Sequence, residues 1–153
     1  MARSHRLLRG AAVIGASLLV ASCSAMTPIQ TAELYNAGDG VRVEVADDDI
    51  RVENLMVLAS EEGSEGHVFG TLVNDTGDEV VMSVTIGDGG IQVPVEANGH
   101  VLLGVDEPVV IPTTPAAPGG MAEALVEATG HGTVSVSVPV LDDTLPQYAD
   151  YLP

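Results

Sequence analysis

Thiol, imidazole and thioether groups are the side chains of this chain best suited to chemistry, and they are few. Cys23 is the single cysteine among 153 residues, so no internal disulfide can form. After it come His67, His100 and His131, with Met26, Met56, Met82 and Met121. Imidazole together with soft thioether is a donor set suited to copper(I), and His67, His100, Met82 and Met121 are the candidate ligands. Each also has a plainer reading. Met56 and Met82 lie in apolar runs that would fill a core, His67 opens a strand, and His100 and His131 sit beside glycine in turns. Asp47-Asp48-Asp49 or Asp75 with Asp78 could meet calcium, but the Asp-x-Asp-x-Asp-Gly spacing is missing, which favours solvated turn carboxylates. There is no Gly-x-Ser-x-Gly elbow, phosphate loop or His-Glu-x-x-His helix. No catalytic residues are therefore predicted, and the chain reads as a non-enzyme. Without tryptophan it also has few aromatic platforms for sugars.

The surroundings of Cys23 bear on its chemistry. Arg3, Arg6 and Arg9 precede an uncharged run from Gly10 to Ala21. A basic stretch followed by an apolar run of that length has the form of a secretory signal and is too short to span a bilayer comfortably. Val20-Ala21-Ser22-Cys23 then resembles the bacterial lipobox. That resemblance implies cleavage between Ser22 and Cys23 and a diacylglyceryl group on the Cys23 thiol. Residues 1–22 would be the signal peptide, and the mature chain a lipoprotein on the extracytoplasmic face of the cell membrane. At least two acyl chains give stable anchoring where one is marginal.

Charge narrows the partners. There is no lysine, and Arg42 and Arg51 are the only cationic residues after Cys23 apart from histidine, against all 22 acidic residues. The formal charge of that part is −20 with histidines neutral. Such a surface repels phosphate backbones and excludes nucleic acid as a partner. It serves solubility or salt adaptation, or steers a basic protein or cations. The expected partners are the membrane, through Cys23, and another membrane or envelope protein, a basic one among the candidates.

Elements that would position these groups are short strands. Ser24 to Gly40 has little apolar periodicity and ends in Asn36-Ala37-Gly38-Asp39-Gly40, so residues 23–40 read as lipidated N-terminus and tether. Val41 to Val45 and Ile50 to Glu53 alternate cleanly; the phase then slips at Asn54, which demands a bulge or bend if Leu55 and Val57 are to stay inward. His67 to Asn74 is a strand of ambiguous phase. Val80, Met82, Val84 and Ile86 form an inward face. Pro94 places Ile91–Val95 at an edge or near a strand end. His100–Gly104 and Val109–Ile111 are short strands, Pro112–Gly120 a loop, and Met121–Ala128 and Thr133–Val140 the last strands. About eight strands with regular turn signals predict an all-β, antiparallel immunoglobulin-like or cupredoxin-like sandwich over residues 41–140. Its expected core includes Val43, Val52, Leu72, Val84, Ile86, Val134, Val136 and Val138, with Arg42, Glu44, Ser135 and Ser137 outside. Residues 141–153, with Pro146, Tyr148, Tyr151 and Pro153, read as an extended tail whose aromatics pack back on the domain.

Several of these segments together resemble the actinobacterial LpqE-like lipoproteins: the lipobox, Tyr35 to Val41, Ile50 to Leu55, Val73 to Asp78, Val93 to Gly99, and Val136 to Val140 with the tail after it. The strand order is also similar to the periplasmic copper chaperones of the PCu(A)C type. Those use a His/Met set that includes a His-x-Met pair, whereas here His67 is followed by Phe69, His100 by Leu102 and His131 by Thr133. No copper ligand carries over on that pattern. The resemblance implies an accessory role beside a membrane respiratory or envelope complex, without a cofactor. The alternative is a copper(I)-binding chaperone, with copper as its cargo.

Anchoring should rest on the thiol. Cys23→Ala is expected to move the protein from the membrane fraction to the medium or to leave an uncleaved precursor. Lipid labelling and membrane retention equal to wild type would overturn the lipoprotein reading.

Overall fold

Alternating apolar and polar side chains carry the chain through nine strands in the computed structural model, which describes residues 38–105 and 107–152. Ser22, Cys23, Met26 and Tyr35, with the expected signal segment and the expected tether as far as Ala37, lie outside the described residues. The strands are β1 (Val41–Ala46), β2 (Ile50–Ala59), β3 (Gly66–Asn74), β4 (Val80–Ile86), β5 (Gly89–Val95), β6 (Gly99–Leu103), β7 (Val110–Ile111), β8 (Met121–Ala128) and β9 (Gly132–Leu141). The fold is an all-β sandwich. One more strand forms than the eight expected.

One sheet runs β5-β4-β8-β9, and the other runs from the end of β9 through β2 and β3 to β6. β9 joins them: its first eight residues pair with β8, while Val140 and Leu141 pair with Val57 and Leu58 of β2. That short β2–β9 ladder is parallel, a departure from the antiparallel pairing expected throughout. β1 flanks the first half of β2, and β7 sits beside β6 on the same side of β3.

Asn54 sits where β2 changes neighbours. The β2–β3 register shifts between Glu53 and Met56, and Asn54 adopts φ +53°, the left-handed conformation that asparagine tolerates better than most residues. Ile50 and Val52 face inward before this bulge, and Leu55, Val57 and Ala59 after it. The slip at Asn54 is therefore a bulge that keeps the apolar set on the core side. The Asn54 side-chain oxygen accepts the Gly40 N–H at 2.7 Å. A Cβ on Gly40 would lie 2.5 Å from the Asn54 carbonyl carbon, so only glycine passes here.

Val43, Val52, Leu72, Val84, Ile86 and Val138 are buried as expected. Val134 and Val136 are only half-buried against the same core. Over that stretch β9 pairs with β8 alone, and its other edge is open. Arg42 is partly covered, while Glu44, Ser135 and Ser137 are exposed. Met56, Leu58 and Phe69 form a second cluster on the outer face of β2 and β3, against which Leu141, Tyr148 and Leu152 pack. This explains the ambiguous phase of β3, since Phe69 is covered from outside. Tyr151 meets the Phe69 ring edge-to-face at 5.3 Å, and a 3-10 turn at Pro146–Tyr148 folds the final segment onto the sheet.

Asn74 is wholly buried and ties the β3–β4 and β5–β6 turns together at one end of the sandwich. Its amide donates to the carbonyls of Asp78 at 2.8 Å, Val95 at 3.0 Å and Glu96 at 3.2 Å, and its oxygen accepts from the Thr76 backbone and hydroxyl. Asn74→Ala should cost on the order of 3 kcal/mol in chemical denaturation, because several buried carbonyls and N–H groups lose their partner at once. A change below about 0.5 kcal/mol would show that water replaces the amide without penalty.

Tyr148 generates a second expectation. Its hydroxyl donates to Asp39 at 2.5 Å. Burial first, then the Asp39 contact, pushes the phenol up from 10.0 to about 12. A raised pKa means that this contribution is whole below pH 10 and is lost as pH rises from 10 to about 12. The stability advantage of wild type over Tyr148→Phe should therefore shrink across that window. A pH-independent difference would show that the ring, not the hydroxyl, holds the segment down.

Candidate functional site

The four sequence-derived metal candidates occupy separate places. His67 and His100 both lie on the outer face of the β2-β3-β6 sheet, His67 opposite Leu58 and Val110, His100 opposite Val73. Six residues of β3 separate those positions, roughly 20 Å along an extended strand. Met82 is fully buried in the core between Val93 and Ala128. Met121 lies at the opposite end of β8 from Ala128, on the outer face, 53% exposed and paired with Pro139. The two thioethers are thus on opposite faces of one sheet and roughly 24 Å apart along the strand. His131 is in the exposed β8–β9 turn. These side chains do not form one donor set for copper(I), which requires soft ligands within bonding distance of one point. Among the described residues no three His, Cys, Asp or Glu side chains group to hold a metal.

The acidic residues gather at the end organised by Asn74. The Asp75 N–H bonds to the Asp49 carbonyl at 2.8 Å, and that of Asn98 to Thr76 at 3.0 Å, bringing together the turns that carry Asp47 to Asp49, Asp75 to Glu79 and Glu96. Arg51 donates to Asp75 at 2.6 Å and to Glu53 at 2.9 Å, and the Asp75 hydrogen bond raises its pKa above the ordinary arginine value. Arg42 pairs with Asp48 and lies 3.3 Å from both Glu44 and Glu53. Both arginines are consumed on this domain's own carboxylates. The rest of the acidic surface stays uncompensated.

The site with a shaped interior is elsewhere. The sandwich is closed on one side by β9 and open on the other, where β5 and β6 end their sheets. Ile91 and Val93 of β5 and Val101 of β6 point inward yet remain half-exposed, unlike the fully buried Val126 and Leu72 on central strands. Between the two edges lies a cleft of about 300 Å³, lined by these three with Leu102, Leu103, Val109 and Glu107. Gly104 follows β6 at φ +78°, and a Cβ there would stand 2.5 Å from the Val68 carbonyl oxygen. On the other side of β6 a shallower hollow is bounded by Met56, Phe69, Gly70 and Val105. Leu102 and Leu103 border both.

In the sequence these valines and leucines read as ordinary strand positions. Pro94 places its strand at an edge or near a strand end, and among the described strands β5 pairs with β4 alone. No signal in the chain marked β6 as the opposing edge, because that depends on β9 crossing between the sheets.

No protein-family model matches the chain. Nor does any curated protein. Among solved structures the chain is similar to the copper-bound PCuAC domain from PmoF2, with 16% sequence identity, a TM-score of 0.49, and an overlap covering 61% of this chain and 93% of that one.

Proposed function

We propose that this chain is a lipid-anchored, non-enzymatic accessory protein on the extracytoplasmic face of the cell membrane, where its sandwich engages another membrane or envelope protein. Cys23 is the anchor. The observation that carries the reading is the open β5–β6 edge, an apolar cleft of about 300 Å³ in a domain whose surface is otherwise strongly acidic. Apolar surface left accessible beside a charged shell marks a contact site more often than a solvated face. The scatter of His67, His100, Met82 and Met121 supports the same reading over copper delivery.

Copper(I) competition decides between the two. Against a tight chelator under reducing conditions, the full chain is expected to retain no stoichiometric copper. One equivalent held by wild type and lost in His100→Asn or Met121→Leu, both exposed positions that leave the core intact, would replace the accessory role with a chaperone.

A further inference from the structure

Resting on the interaction reading above, we propose that the free edge of β6 is a strand-addition site for an extended basic segment of a partner protein, whose alternate side chains enter the β5–β6 cleft. β6 pairs only with β3 among the described strands. None of the turn and loop backbone hydrogen bonds among the described residues involves residues 100–103. An unpaired edge presents a row of N–H and C=O groups that templates another strand.

The two edges of the cleft differ in how they are protected. On β5, Pro94 lacks an N–H, so added strands are discouraged there. β6, Gly99-His100-Val101-Leu102-Leu103, has neither proline nor a formal charge. Its inward side chains, Val101 and Leu103, are apolar, and its outer face carries His100 and Leu102. Val101 and Leu103 border the cleft, while Leu102 is 48% exposed on the outside with Val105 at 52% beside the same hollow. A strand laid along β6 places successive side chains alternately into the cleft and over Leu102. Five residues of ladder, roughly 17 Å, set the length of the segment read.

Charge selects the occupant. Arg42 and Arg51 are neutralised by Asp48, Glu44, Glu53 and Asp75, and the cleft itself carries Glu107. Glu96 precedes the first residue of β6 by three positions. A second copy of residues 23–153 brings the same −20 and no lysine, so its approach is opposed by like charge. A segment with lysine or arginine flanking alternate β-branched residues meets a complementary field and a complementary ladder.

The test uses the full acylated chain in nanodiscs of neutral lipid. The probe is a nine-residue peptide with valine at alternate central positions, threonine between them and two lysines at each end. It should bind with 1:1 stoichiometry, weaken as salt rises, and slow hydrogen exchange at residues 100–103. The same peptide with glutamate ends should bind at least tenfold more weakly. Glu107→Lys, at an exposed loop position, should weaken the lysine peptide at least fivefold, and Leu102→Lys by more. Equal binding of both peptides, or no protection at residues 100–103, would overturn the proposal. So would self-association that protects β6 in the absence of peptide, or protection by lipid alone, which would make a second copy or an acyl chain the occupant. Loss of peptide binding with the copper competition still negative and Cys23 still anchoring would remove the strand-addition site and leave the accessory role standing.

Discussion

A one-residue bulge at Asn54 is the constraint on which the rest of this fold depends. β2 must lie beside β1 for its first half and beside β9 for its second, and both halves must present apolar side chains to one core. In a strand of strict period two, the sequence from Ile50 onward would turn Leu55, Val57 and Ala59 outward. The extra residue resets the phase, and positive φ at an asparagine makes the reset inexpensive. It also leaves Met56 and Leu58 facing away from the core, which is why the final segment has something to cover. Core continuity, the passage of β9 between sheets and the docking of the chain's end all follow from that single insertion.

Closure by β9 on one side entails an opening on the other. β5 and β6 end the strand order of the two sheets, and their edges border the same cleft. Edge strands left bare invite unwanted pairing. The acidic surface disfavours pairing with copies of the same chain, since both carry the same sign.

The strands were largely legible in the residues. Val80, Met82, Val84 and Ile86, and Ala122, Ala124 and Val126, announce their inward faces by period-two alternation, and all are buried. Even the bulge shows as the phase slip after Glu53. The site was not legible, because it is made by topology rather than by residue type. Ile91, Val93 and Val101 look like any β-branched core position until the sheet order puts their strands at opposing edges. For His67, His100, Met82 and Met121 the donor chemistry is visible in one dimension, whereas their separation appears only with the register. Val134 and Val136 read as core by alternation alone, which carries no information about whether a neighbouring strand covers them.

The Tyr148–Asp39 contact joins the last turn of the chain to the residues that lead into β1. Asp39 is one residue from Gly40, itself held by Asn54. Opening these two contacts would release the residues that lead into β1 while leaving the β1–β2 ladder, and with it the core, paired.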